Sequence, residues 1–163
     1  MEIVLDRFPR KNGSGQSRTR HTRLVTDFNQ MIVDEFRNNG GHVSTAGFGD
    51  SLVVLHTIGA KSGKVRLNPL MAIPEQGNWL IVGSAAGSPK DPAWVHNLRA
   101  NPAIDVEVPK GGAVHTVAVH VSEVPDAEWE NSWQKFLDAS EGFAKYVETA
   151  EGRRFPIFRL TPA

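Results

Sequence analysis

The stretch Leu55-His56-Thr57-Ile58-Gly59-Ala60-Lys61-Ser62-Gly63-Lys64-Val65-Arg66-Leu67-Asn68-Pro69-Leu70 carries the first decision about this chain. An apolar run, Leu52 to Leu55, enters a small polar turn bracketed by Gly59 and Gly63, and Val65 and Leu67 begin a second extended run. Glycines let a backbone turn tightly and bring its N–H groups close to a ligand. Lys61, Ser62, Lys64 and Arg66 place cationic and hydroxyl donors on the same turn, a composition suited to phosphate or carboxylate. Taken alone, the same residues read better as an ordinary solvated hairpin. A Walker loop is excluded, because the glycines are too close together and a strand, not a helix, follows.

Working outward, the next segments are strands as well. Leu52–Thr57, Val65–Ile73 and Trp79–Ser84 are short and apolar, and connections this short join antiparallel neighbours. Upstream, Val25, Phe28, Ile32 and Phe36 recur at helical spacing from Leu24, and Asn39-Gly40-Gly41 ends that helix. Downstream, Asp91 as N-cap and Pro92 at the first helical position start a short helix that Asn101-Pro102 stops. Ile104–Val108 and Val114–Val121 flank a hairpin loop at Pro109–Gly112. A helix over 126–139 carries Trp129, Trp133, Phe136 and Leu137 on one side, Phe143, Tyr146 and Val147 continue it, and Pro156–Leu160 forms a last strand. Short antiparallel strands with helices laid over them predict an α+β, mainly β chain: a small barrel with capping helices.

Composition narrows the function. With 163 residues, 40% of them hydrophobic, one core suffices. Lys+Arg 18 against Asp+Glu 18 leaves no net charge, so bulk attraction to nucleic acid is not expected. The absence of cysteine removes disulfides, thiol catalysis and thiolate metal sites. No run of apolar residues reaches the length of a membrane span and no signal-peptide core is visible, so a cytoplasmic protein is expected. Met1–Arg23, basic and rich in Gly and Ser around Pro9–Arg20, reads as a flexible arm preceding a single domain over 24–163. A peripheral contact of that arm with anionic membrane lipid, or a contact with a polyanionic cofactor tail, is its functional alternative.

Among chemistry-bearing residues, the histidines at 21, 42, 56, 96, 115 and 120 form no metal-binding pair at helical spacing, so no metal site is expected. Ser62 and Ser84 lie outside any nucleophile elbow. Trp94 and Asn97, one turn apart, can wall and hydrogen-bond a flat heterocycle, but the residues alone favour Trp94 as an anchor of its helix to the barrel.

Three blocks together resemble the deazaflavin (coenzyme F420)-dependent nitroreductase family: Gly59–Met71, Gly83–Pro102 with its Asp91-Pro92-Ala93-Trp94-Val95-His96-Asn97-Leu98 centre, and Phe155-Pro156-Ile157-Phe158-Arg159-Leu160-Thr161-Pro162. Glu35–Gly41 also fits. The resemblance implies a split β-barrel of the FMN-binding-protein type with F420 as cofactor and FMN ranked behind it. It implies that Lys61, Ser62, Gly63 and Arg66 hold the phosphodiester tail. Asn68, Pro69, Leu70, Met71, Ser84, Ala86 and Gly87 would border the ring, with Trp94 and Asn97 completing the pocket. The implied reaction is hydride transfer from F420H2 to a small-molecule acceptor such as a quinone, an activated enone or a nitro compound. Ser84 and Tyr146, the only tyrosine, are the candidate catalytic donors. The chain departs from the family pattern at Ser140 and Phe143, where the nitroreductase carries tyrosines, and at Ala60 and Ala85, where relatives often carry cations. A split-barrel protein that binds F420, FMN or haem without turnover is the alternative from another class. A homodimer is expected from fold type alone.

Overall fold

The computed structural model describes the backbone from residue 17 and side chains from residue 27, through to residue 163. Its elements are α1 (Ser17–Asn38), β1 (Leu52–Ile58), β2 (Val65–Met71), β3 (Ile73–Glu75), β4 (Asn78–Val82), α2 (Ala93–Ala100), β5 (Ala103–Lys110), β6 (Ala113–Glu123), α3 (Asp126–Ala139), α4 (Gly142–Thr149) and β7 (Ile157–Pro162). The strands form one antiparallel sheet in the order β2-β1-β5-β6-β7-β4-β3.

That order dictates the shape. The two edge strands, β2 and β3, are consecutive in sequence with only Ala72 between them. Across two peptide bonds Met71 and Ile73 lie no more than about 7.6 Å apart. In a flat sheet the edges would be about 29 Å apart, six spacings of roughly 4.8 Å. The sheet therefore curls until its edges meet, giving a split barrel. The continuous run expected over Val65–Ile73 is in fact two strands. It pairs with β1 up to Met71↔Leu52 and with β4 from Ile73↔Leu80 onwards. Between them the Ala72 N–H donates to the Ser51 carbonyl at 2.9 Å.

Period-two alternation distributes the apolar side chains over three cores. Val53 and Leu55 of β1, Leu70 of β2 and Ile81 of β4 point to one cluster, which Trp94, Leu98 and Phe158 fill. Leu80 and Val82, on the opposite face of β4, meet Trp133 and Phe136 of α3, and Phe143 and Tyr146 of α4. Leu52 and Val54 pack under Ile32, Val33 and Phe36 of α1. The α1 stripe is as expected, but the helix starts at Ser17, inside the stretch read as an arm. Its first turns, Ser-Arg-Thr-Arg-His-Thr-Arg, are polar on every face, so apolar periodicity gives no sign of them. The rest of the arm, 1–16, lies outside the described residues. Two other boundaries move. Pro92 occupies the N-cap position of α2, and the Asp91 carboxylate pairs with Arg153 and does not cap the helix. The β5–β6 turn consists of Gly111-Gly112, both at positive φ, as a tight hairpin requires.

A polar clamp fixes α1 to the sheet. Arg37 donates through Nε and Nη2 to the two carboxylate oxygens of Glu107 on β5, both at 2.8 Å. His56 of β1 adds a contact at 2.7 Å. The Arg37 guanidinium, helped by His56, holds the Glu107 carboxyl below the ordinary carboxylate range despite its burial. A lowered folded-state pKa contributes stability above the unfolded pKa and loses it as pH falls through the folded one. The clamp's stability is thus present at neutral pH and disappears in acid, at pH values below about 4.3. Glu107→Gln is expected to lower stability at pH 7 by about 1.5–3 kcal/mol. The deficit should shrink as wild type and variant are compared at progressively lower pH by urea denaturation; a constant deficit would contradict this origin.

Candidate functional site

Two loops, both braced by α2, carry the residues singled out from the sequence. The first is the β1–β2 turn. Gly59 N–H donates to the Lys64 carbonyl and Gly63 N–H to the Gly59 carbonyl, each at 2.9 Å. Gly63 lies at φ +68, and a Cβ on Gly59 would strike the Ser62 hydroxyl. Ser62 Oγ accepts the Lys64 N–H at 3.2 Å, leaving its own proton available. From α2, Asn97 Oδ1 accepts the Ala60 N–H at 2.9 Å. Beneath the turn, buried Thr57 donates to Asn68 Oδ1 at 2.7 Å. Lys61, Lys64 and Arg66 are exposed and make no ion pair among the described residues. Three unneutralised cations on one turn form a ready anion site.

The second loop, Gly83–Ser88, is backbone-rich and strained. Ala85 (φ +53), Ala86 (φ +48) and Gly87 (φ +78) are consecutive left-handed residues. For alanine this conformation costs of order 1–3 kcal/mol each, and such strain persists only where surrounding contacts enforce it. The enforcement is visible. Arg153 donates through Nη1 to the Gly83 carbonyl (3.0 Å), through Nη2 to the Ser84 carbonyl (2.8 Å) and through Nε to the Ser88 carbonyl (2.9 Å). Nη1 is also tied to Asp91, and the guanidinium stacks 4.7 Å from the Phe155 ring centroid. On another side Thr149 of α4 donates to the Gly87 carbonyl at 2.8 Å. Gly83 sits against α2, where an added Cβ would lie 2.7 Å from Val95 Cγ2.

The consequence for hydrogen bonding is specific. Gly87 and Ser88 donate back to the Ser84 and Ala85 carbonyls, but the N–H groups of Ser84, Ala85 and Ala86 find no acceptor among the described residues. The single helical turn over Ala85–Gly87 leaves its first N–H groups unpaired, as a helix start does, so these donors are open to a ligand. They suit the carbonyl and nitrogen edge of a heteroaromatic ring. The turn cations suit an anionic tail. The residues present thus fit a cofactor with a flat polar-edged head and a phosphate tail.

The structure brings some predicted site residues together and draws others inward. Met71 and Ala86 are half-buried and border the same cluster as Tyr146 and Phe143. Pro69 and Leu70 are buried, Leu70 inside the barrel. Ser84 is buried too, and its hydroxyl makes no hydrogen bond among the described residues. Trp94 is 3% exposed and packs 6.1 Å from Phe158 in the barrel core, not as an open wall. With Val95 and Leu98 it forms the inner face of α2, and its indole N–H has no partner among the described residues. Asn97 spends its carbonyl oxygen on the turn. Tyr146 is buried, edge-on to Phe143 at 5.8 Å. Sequence reasoning missed Arg153 and Thr149. Arg153 stands just before the third block, where no periodicity or spacing links it to Gly83–Ser88.

Gly87 lies flush on α4: a Cβ there would stand 2.6 Å from the Tyr146 carbonyl oxygen and 2.8 Å from its Cα, besides striking Thr149. Gly87→Ala is therefore expected to push the loop off α4 and to destabilise the fold by about 1–3 kcal/mol. Thermal denaturation reads this; an unchanged melting temperature would show that the loop accommodates a side chain.

Residues 28–162 match the family model described as F420H(2)-dependent quinone reductase. An F420H(2)-dependent quinone reductase of Mycobacterium tuberculosis is 31% identical over 109 residues, which are 67% of this chain and 72% of that protein. The solved structure of the F420-H2 dependent reductase FDR-A superposes with a TM-score of 0.59 at 32% identity, over 68% of this chain and 93% of that one. A second solved structure, described as a domain-swapped dimer, gives a TM-score of 0.60 at 32% identity, over 86% of this chain and 98% of that one. The chain belongs to the F420H(2)-dependent quinone reductase family, oxidoreductases whose cofactor is coenzyme F420.

Proposed function

We propose that this protein is a reductase that uses F420H2 to reduce a quinone or a comparably small, flat conjugated acceptor. The observation that carries the reading is the run of unmatched backbone donors at Ser84, Ala85 and Ala86, beside the half-buried Met71 and Ala86 side chains. The family description and the relatives named above favour a quinone. An activated enone presents the same conjugated oxygen. A nitro acceptor is the weaker member of the set, because Phe143 offers no proton and is packed among Trp133, Phe136 and Tyr146.

When bound, reduced F420 supplies a hydride. The protein's part is to hold, orient and protonate. Lys61, Ser62, Gly63 and Arg66 hold the anionic tail by charge and by the open face of the turn. Asn68, Pro69, Leu70 and Met71 carry the chain from that turn to the ring, Met71 giving it an apolar face. Ser84, Ala86 and Gly87 offer backbone to its polar edge. Trp94 and Asn97 act from behind, the one packing α2 into the barrel and the other bracing the turn. Charge develops on the acceptor oxygen as it is reduced, and a hydroxyl nearby stabilises it and delivers a proton. Ser84 Oγ and Tyr146 Oη are assigned that task.

A specific observation favours a second reading. Tyr146 and Phe143 are both buried in the aromatic cluster and present no exposed proton donor, which fits binding of F420, FMN or haem without turnover. Steady-state oxidation of F420H2 by a soluble quinone separates the two. Tyr146→Phe is expected to lower kcat by about 10- to 100-fold with binding of oxidised F420 unchanged. Equal turnover would remove Tyr146 from the mechanism, and no wild-type turnover would favour the binding protein. Arg66→Ala is expected to weaken F420 binding by about 1.5–3 kcal/mol, through loss of a charge-assisted bond to phosphate. Equal affinity would overturn that contact. A homodimer belongs to the same proposal, given the relative described as a domain-swapped dimer. Sedimentation equilibrium showing monomer alone would remove it.

A further inference from the structure

Arg153 has four of its five N–H donors committed to the Gly83–Ser88 loop and Asp91, and most of its side chain is buried. An arginine recruited only for stability would be satisfied by Asp91 and the Phe155 ring. This one instead reads the carbonyls of two successive peptides with its two terminal nitrogens, at 3.0 and 2.8 Å. The described chain has no cis peptide bond. In a trans peptide the C=O of one residue and the N–H of the next point in opposite directions. Drawing the Gly83 and Ser84 carbonyls onto the guanidinium therefore turns the Ser84 and Ala85 N–H groups away from it. Those are two of the three donors left without a partner.

The positive charge has a second effect. A carbonyl that accepts from a cation polarises its peptide, so the N–H across the same bond becomes a stronger donor. The left-handed strain at Ala85 and Ala86 supports this account, since a loop free of the clasp would relax to commoner angles.

We infer that Arg153 is a positioning residue for the reaction: it aims and polarises the Ser84 and Ala85 backbone N–H groups toward the polar edge of the bound cofactor ring. The inference rests on the reading that F420 lies against this loop. It assigns to Arg153 a share of cofactor affinity and redox poise without any contact with the cofactor. Donors held rigidly where negative charge accumulates on reduction favour the reduced form.

The test compares wild type, Arg153→Lys and Arg153→Ala, with Arg154→Ala as a control that removes an exposed arginine stacked on Trp129 and paired with Asp126. Equilibrium titration with oxidised F420 should show Arg153→Ala weaker by at least about tenfold, the loss of one to two oriented hydrogen bonds. Arg153→Lys should not restore affinity, because an ammonium cannot span two carbonyls in a planar fork. Added guanidinium ion should recover part of the affinity of Arg153→Ala and leave Arg154→Ala unaffected. The midpoint potential of bound F420 should be more negative in Arg153→Ala than in wild type. Affinity and potential both unchanged in Arg153→Ala would overturn the inference, as would full recovery by lysine.

Should Arg153→Ala fail to fold, hydrogen exchange on the wild type decides. The Ser84 and Ala85 amides should exchange fast in the free protein and slow strongly with oxidised F420 bound; slow exchange without cofactor, or no protection with it, overturns the inference. Failure of wild type to bind F420 at all would instead bring down the functional reading beneath it.

Discussion

A single residue between two edge strands sets the architecture. Because only Ala72 separates β2 from β3, the seven-stranded sheet cannot lie open, and its curl creates both the interior core and the seam. At that seam the period of two sends Leu70 into the barrel and Met71 toward the α3–α4 cluster. The half-buried Met71 side chain assigned to the proposed site is thus placed by the closure of the fold. The same closure leaves β1 and β2 joined by a turn free to carry cations, since no other element covers Lys61, Lys64 or Arg66.

The two loops of the site divide the work by chemistry. The β1–β2 turn offers exposed charged side chains, which suit an anion. The Gly83–Ser88 loop offers fixed backbone groups, which suit a ring whose edge must be held in one orientation. Rigidity there comes from outside the loop: Arg153 behind it, Thr149 of α4 beside it and Val95 of α2 beneath Gly83. Three contacts from outside converge on six residues. Preorganised donors of this kind cost nothing to reorient during reaction, which is where an enzyme gains over water.

Much of this was legible in the sequence, for identifiable reasons. Strongly periodic elements such as the α3 aromatic stripe and the alternating valines of β6 report their own structure, because burial on one face selects residues at the period of the element. The turn at Gly63 and the Gly111-Gly112 hairpin were readable because few residues tolerate their positive φ. What stayed hidden depends on partners far away in sequence. The break at Ala72 comes from a change of pairing partner, which a continuous apolar run conceals. The first turns of α1 carry no apolar stripe. Asp91 has the residue type of an N-cap, but its carboxylate pairs with Arg153 and does not cap the helix. Trp94 is indistinguishable in sequence from a pocket wall, and only its place beside Val95 and Leu98 shows the inward face. The clasp by Arg153 spans about 65–70 positions along the chain and has no local signature at all.

The central claim is that these two loops together receive F420. Isothermal titration of the full chain with oxidised F420 and, separately, with FMN tests it most directly, because both ligands offer a tricyclic ring while only F420 carries a long anionic tail. The account predicts saturable, one-to-one F420 binding that weakens with added salt, with FMN bound far less tightly. Equal or preferential binding of FMN, or no heat with either ligand, would contradict it.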